Sequence, residues 1–572
     1  VLRMRPLAPV LALALALVAS VPQALAARPY RGGVVATQHP YASEAALQVL
    51  EAGGNAVDAA VAAAFVLAVV APYHSGIGGG GFSVGWDAHA RAPYALDFRE
   101  VAPAAAHRDL FLRDGKPLPG LSTDGPLSVA VPGAVAGYLE LQEARGRLPR
   151  RAVLAPAIRR AREGFWVSPK YQQMASVRLE CLRKDVEASR LFLRPGADGR
   201  PDVPALGTVL KQPELARTLE GLAARGARTF YTGPTAKALA QAVQAGGGVM
   251  TEADLAGYRT EPRTPLEGSY RGRRVVTMPP PSAGGLAVVQ VLGLLERGGP
   301  VGFQEPGALH RFAEALRRSY ADRARHLGDP AFTDVPLARL TAPEYLDGLA
   351  GSIDPGRATP SASLQVASPA EERPKNTSHV SVLDRDGNAV SLTTTVNYAF
   401  GSCMVAAGTG VLLNDEMDDF AAQPLTPNVY GLVTGEANAV APRKRPLSSM
   451  SPTLVFAPGA PERVHLVVGA PGGPTIPTTV LQVIRNVVDH GMDLSRAVGQ
   501  GRVHHQYLPD ALMVEKYALE PATAAALEAK GHVLSRRMEA WGDAEAVMED
   551  PVTGLRYAAS DPRNEGAAAG QD

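Results

Sequence analysis

Apolar and polar positions alternate in some stretches of this chain and run together in others, and the two patterns predict different elements. Residues 43–71 read as two helices: Ser43 would cap the first, which runs through Leu50, and Gly53-Gly54-Asn55 would break it before Ala56 to Val70. The run from Ala59 to Leu67 is apolar on every face, so the second helix belongs inside a large core. Residues 82–98 read as a hairpin, with Phe82 to Trp86 and Tyr94 to Phe98 flanking a polar turn. Residues 130–250 are mainly helical in pattern, with charged faces and Pro/Gly punctuation. The stretch from Ser352 to Lys375 has no period and is rich in Ser, Pro, Ala and charge, as an exposed segment would be. Directly after it, Val380 to Leu383 and Ala389 to Thr394 flank Asp384-Arg385-Asp386-Gly387-Asn388, a strong hairpin signal. Further hairpins are expected near 453–468 and 545–560, and helices over 475–500 and 520–531. No internal repeat or heptad pattern is present. Hairpins between helical layers predict antiparallel sheets covered by helices.

The first residues belong to a different pattern. Arg3 and Arg5 precede an apolar stretch from Leu7 to Ala19, and Ala24-Leu25-Ala26 offers small residues at the positions a signal peptidase reads. Residues 1–26 are therefore expected to be a secretory signal. Val1 is an unusual start and Met4 an alternative one. The stretch is short for a membrane span, which needs about 20 apolar residues, and no later segment is apolar enough, so an exported protein, periplasmic or extracellular, is expected. Export permits a disulfide, but nothing in the sequence brings Cys181 and Cys403 together, and two free buried thiols are the expectation.

The chain has 572 residues with 57 Lys+Arg against 56 Asp+Glu, a balance that excludes nucleic-acid or membrane-surface binding through bulk positive charge. Two cysteines are too few for a Cys-rich metal site, and no ligand set accompanies His504-His505, so no metal or cofactor is expected and those histidines read as structural. The glycines at 78–81 lack the lysine and strand–helix context of a phosphate loop and read as close main-chain packing.

Asn376-Thr377-Ser378-His379 carries the candidate chemistry. If the bond before Thr377 is cut, Thr377 gains a free α-amine beside its own hydroxyl. An unperturbed amine has a pKa of about 7.7–8.0 and serves as a base near neutral pH without a histidine. Taken alone, Thr377 reads far more readily as merely the start of an edge strand. Pairing centred between Asp386 and Gly387 would set Thr377 opposite Val396, with Thr395 and Asn397 as neighbours.

Thr377 to Val382, Asp384 to Asn388, Asn414 to Phe420 and Arg445 to Pro452 resemble the γ-glutamyltransferase (γ-glutamyltranspeptidase) family. Ser75 to Phe82, Asp97-Phe98-Arg99-Glu100, Pro471-Gly472-Gly473, His504-His505-Gln506 and Ser560-Asp561-Pro562-Arg563 extend the resemblance, in order, over nearly the whole chain. It implies an N-terminal nucleophile hydrolase fold, α+β, a four-layer αββα sandwich of two antiparallel sheets. It also implies a precursor that cuts itself at Asn376/Thr377 into a large subunit (27–376) and a small one (377–572), which stay together as a heterodimer.

Residue by residue, the resemblance makes Thr377 the nucleophile and Thr395 its hydrogen-bonding partner in self-cleavage. Arg99 would grip the donor's α-carboxylate with Ser448 and Ser449, while Glu416, Asp419 and Asn397 would hold its ammonium. Gly472 and Gly473 would supply N–H groups to the oxyanion. Residues 424–443 would form a lid, with Tyr430 closing toward Asn397. The implied activity is hydrolysis and transfer of the γ-glutamyl group of glutathione and related compounds, to water or to amino acids and peptides. Two other readings remain: a same-fold acylase acting on glutaryl β-lactams or poly-γ-glutamate, and an unprocessed, non-catalytic binding protein.

Overall fold

The structure is a computed structural model and describes residues 27–299, 301–364, 377–424 and 426–572. The expected signal (1–26) and Asn376 lie outside the described residues, and none of the helices described is long and apolar enough to cross a membrane.

The hairpin predicted around Gly387 organises the first of two seven-stranded sheets. Ser378–Leu383 pairs with Ala389–Thr395 on one side and Val34–Thr37 on the other, all antiparallel. The full strand order is Glu261–Arg263, Ala92–Phe98, Gly80–Asp87, Ala389–Thr395, Ser378–Leu383, Val34–Thr37, Ala567–Gly570. The second sheet runs Pro29–Tyr30, Arg556–Ser560, Glu545–Glu549, Ala460–Gly469, Thr453–Ala457, Arg273–Thr277, Leu266–Tyr270, also antiparallel. Inward side chains of both sheets, among them Phe82, Val84, Trp86, Leu454, Phe456 and Val467, form one shared core.

The outer face of each sheet buries against helices, which completes the αββα sandwich. Ala56–Val70 is buried along its whole length and packs on Val380, Val382, Val390 and Leu392. Its one charge, Asp58, is accommodated because the carboxylate accepts the N–H groups of Asn55, Arg147 and Leu148. On the second sheet, Ala283–Glu296, Pro306–His326 and Thr475–Val488 cover Val275, Val455, Leu466 and Val468.

Three local expectations are corrected. Ser43 does not cap the first helix: that helix is Pro40–Glu51, its N-cap is His39, and Ser43 lies inside it. Hairpin pairing is centred on Asp386, with Leu383 opposite Ala389 and Ser378 opposite Thr394, one residue from the expected register. The cause is a closed five-residue loop. Asp384 N–H donates to the Asn388 carbonyl, the Asp384 carboxylate accepts the N–H of Asp386 and Asn388, and Gly387 takes φ 87°. Finally, Cys181 and Cys403 are not free thiols but a disulfide, Cα atoms 5.9 Å apart, because the fold brings the loop after Ala389–Thr395 against the helix Leu179–Lys184.

The glycines at 78–81 serve main-chain packing. A Cβ at Gly79 would lie 2.0 Å from the Thr395 carbonyl oxygen, and one at Gly81 2.2 Å from that of Thr393. His504 bonds Thr478 and Gln506.

Candidate active site

Side chains of odd-numbered residues along Ser378–Leu383 and Ala389–Thr395 point between the sheets, since Val380, Val382, Val390 and Leu392 face the helices. Thr377, just before its strand, therefore falls on the inter-sheet side, and continuing the observed register sets it across from Thr395 rather than Val396. The two hydroxyls are 3.5 Å apart, and both side chains are buried. Thr395 Oγ1 also accepts the N–H of Asn397 at 2.8 Å. Both threonines bound one narrow cleft that Arg99, Asn397, Glu416, Asp419, Tyr430, Ser448, Ser449 and Gly473 also line.

Among the described residues, no histidine lines this cleft. His379 is held between Thr393 Oγ1 and Ser381 Oγ, and burial lowers its pKa to about 3, so the ring is neutral.

The residues expected to hold the donor's carboxylate and those expected to hold its ammonium contact one another directly in the cleft. Arg99 is fully buried and ion-paired with both Glu416 and Asp419. Nη1 also reaches Glu100 Oε2 at 3.5 Å, while Nε and Nη2 donate to the carbonyls of Pro446 (3.3 Å) and Leu447 (3.2 Å). Burial opposes the charge on Arg99, yet Glu416, Asp419 and Glu100 outweigh it and raise the pKa further. Burial pushes Glu416 up to about 7 against the pull of Arg99. Asp419 is likewise raised by burial, and Glu100 well above the ordinary range by burial and then by Glu416 beside it. A guanidinium removed from water pairs with whatever carboxylates can reach it, which explains the contact.

Tyr430 and Leu432 border one side. Tyr430 donates its hydroxyl to the Asn397 carbonyl at 2.7 Å, and Asn397 Nδ2 donates to the Asp415 carbonyl at 3.0 Å. On another side, Ser448 Oγ accepts the N–H of Met450, whereas Ser449 Oγ is buried without a hydrogen-bond partner among the described residues. Gly472 (φ 126°) and Gly473 (φ 52°) occupy backbone conformations that side chains disfavour, and they lead into Thr475–Val488. Only Gly473 lines the Thr377 cleft; Gly472 borders the neighbouring cavity with Trp541 and Asp543.

Sequence reasoning assigned no role to Glu100, although it belongs to the Asp97–Glu100 motif, or to Asn428, whose Nδ2 donates to Asp419 Oδ1 at 3.1 Å. Leu432 and Met450, inside segments already singled out, and Ile476, just after Pro471-Gly472-Gly473, supply apolar wall that no sequence signal assigned to the site.

Two antiparallel sheets between helical layers, with a threonine heading an interior strand, define the class of the N-terminal nucleophile hydrolases. Within it, the chain belongs to the gamma-glutamyltranspeptidase family, whose model matches residues 42–571. It is 43% identical over 536 residues to the glutathione hydrolase proenzyme of Escherichia coli, covering 93% of this chain and 90% of that one. It is 37% identical over 543 residues to the acylase ACY 1 proenzyme of Pseudomonas sp. strain SE83, covering 92% and 91%. The crystal structure of cephalosporin acylase from Bacillus halodurans superposes with a TM-score of 0.84 at 28% identity, over 97% of this chain and 98% of that one.

Proposed function

We propose that this protein is an exported, self-processing γ-glutamyl hydrolase/transferase acting on glutathione and related γ-glutamyl compounds. The observation that carries the reading is a single cleft holding Thr377 and Thr395 together with Arg99, Glu416, Asp419 and the unpartnered Ser449 hydroxyl. Similarity to glutathione hydrolase proenzymes over more than nine-tenths of the chain supports it.

In the precursor, Thr377 Oγ1 attacks the Asn376 carbonyl carbon, the peptide C–N bond breaks, and the acyl group moves to oxygen. Water opens that ester, leaving a carboxylate on Asn376 and a free α-amine on Thr377. Thr395, across the ladder, holds the hydroxyl during the attack. Residues 27–376 and 377–572 then form a heterodimer. Strand pairing supports their remaining one unit, because Ser378–Leu383 is hydrogen-bonded to Val34–Thr37 and Ala389–Thr395 to Gly80–Asp87.

In turnover the Thr377 amine takes the hydroxyl proton while Oγ1 attacks the γ-amide carbon of the donor. The N–H groups around Gly472-Gly473, at the start of a helix, stabilise the oxyanion, and the departing amine takes the proton. Water or an acceptor amine then receives the γ-glutamyl group. A donor's amino-acid end brings one carboxylate and one ammonium. Inserted between Arg99 and its acids, it replaces the internal Arg99–Glu416 and Arg99–Asp419 pairs with pairs to its own carboxylate and ammonium, with no change in the cleft's net charge. Arg99 and the two serines take the carboxylate, while Glu416, Asp419 and Asn397 take the ammonium. Tyr430 closes over the donor.

Thr377→Ala should yield an uncut, inactive precursor on a reducing denaturing gel; recovery of two subunits from it would remove Thr377 from the role. The acylase reading draws on the ACY 1 and cephalosporin acylase similarities, but a glutaryl group has no ammonium to engage Glu416 and Asp419. Turnover of a γ-glutamyl anilide should therefore exceed that of a glutaryl anilide by tenfold or more.

A further inference from the structure

The chain has two cysteines, and the cut proposed above falls between them. Cys181 sits in the short helix Leu179–Lys184, Cys403 follows the strand Ala389–Thr395, and the two are bonded across a sequence separation of 222 residues. We infer that this bridge makes the mature protein a covalently tethered pair of subunits, not one held by packing alone. The inference rests on the self-cleavage reading, since without the cut the bridge closes a loop within one chain.

The bridge is built into the fold rather than laid on its surface. Cys181 is 8% exposed and Cys403 1%. Arg178, also large-subunit by the proposed cut, reaches the same place. Its Nη2 lies 3.3 Å from Cys181 Sγ and donates to the Gly401 carbonyl at 2.9 Å, and its guanidinium stacks 4.6 Å from the Tyr398 ring centre. Together they fasten the 398–403 segment to the large subunit. That segment needs fastening, because Phe400, Gly401 and Cys403, like Asn397 just before it, take positive φ. Such conformations persist where the surroundings over-determine them. The tether therefore sits where the strand carrying Thr395 leaves the sheet and turns past the cleft.

Formation takes two exchanges with a disulfide oxidant of the exported compartment. One cysteine thiolate attacks the oxidant's disulfide and displaces one of its sulfurs as thiolate, the second attacks the cysteine sulfur of the resulting mixed disulfide and displaces the other, and the two protons the cysteines gave up leave on the oxidant, now two thiols. Reversal requires a thiolate to reach a sulfur. Burial denies this to small thiols while the protein is folded, glutathione included, although it is the proposed substrate. Once the backbone is cut, the bridge also makes re-pairing of the subunits intramolecular, so dilution does not separate them.

The test is a denaturing gel of the mature protein, trapped with a thiol alkylator and run with and without reductant. One species of the combined mass without reductant and two fragments with it are expected. Cys403→Ser should give two fragments in both lanes, and wild type pre-incubated native with millimolar glutathione should still give one. Two fragments from wild type without reductant would overturn the tether and leave the γ-glutamyl reading standing. One species in both lanes would overturn the cut, and the tether with it. Should Cys403→Ser not fold, mass spectrometry of a non-reduced digest decides the same point: a linked Cys181–Cys403 peptide pair is expected, and two separately alkylated peptides would refute it.

Discussion

In the proposed function, Arg99 and its carboxylates recognise the donor's amino-acid end. In that reading the buried guanidinium, paired with Glu100, Glu416 and Asp419, exchanges an acid partner for the substrate carboxylate through two parallel bonds, a geometry lysine lacks. Arg99→Lys is expected to raise KM for the donor by about 10–100-fold, the equivalent of about 1.5–3 kcal/mol for hydrogen bonds to a charged group. Thermal stability should change far less, because one positive charge remains among Glu100, Glu416 and Asp419; unchanged KM would remove Arg99 from the donor site. Glu416 gives a pH signature. Its raised pKa of about 7 means that it gains a proton on mild acidification and loses its attraction for the donor's ammonium. Donor KM should accordingly rise as pH falls below about 7, and Glu416→Gln should flatten that rise. Protonation of the Thr377 amine, with an ordinary value of about 7.7–8.0, belongs instead to the kcat profile.

Strands and turns place these residues, and small shifts in them matter. Most elements were legible because periodicity and turn residues are local: the hairpins at 82–98, 453–468 and 545–560 and the buried helix Ala56–Val70 form where the pattern predicts. The hairpin register was not legible, because it depends on how the Asp384 side chain closes the loop, and a loop of one more residue in pairing would have shifted Thr377 relative to Thr395. Gly79 shows how tightly the strand carrying Thr395 is fitted. Gly79→Ala would drive a methyl against the Thr395 carbonyl and should cost about 1–3 kcal/mol, the range for overpacking, while slowing maturation. Thermal denaturation and a maturation time course on reducing gels check both effects; wild-type values would show that the strand has room to move. In the lid, Tyr430→Phe removes the bond to the Asn397 carbonyl and should raise donor KM several-fold, as measured by steady-state kinetics, with self-cleavage intact.

At the scale of the whole molecule, the sandwich brings together residues that the chain separates widely. Arg99 meets Glu416 and Asp419, and Cys181 meets Cys403, through contacts between elements far apart in sequence. The candidate residues were legible as motifs, and nearly all line one cleft. Their pairing was not, since the Arg99 ion pairs and the disulfide depend on three-dimensional proximity that no local pattern records. The fold also explains how a backbone cut could leave the molecule intact, because the strand beginning at Ser378 is locked between neighbours from both proposed subunits. Everything chemical in the account depends on that cut. N-terminal sequencing of the purified, active protein tests it most directly. A second N-terminus reading Thr377-Ser378-His379 is predicted; a single N-terminus, from protein that still releases glutamate from glutathione, would contradict the account.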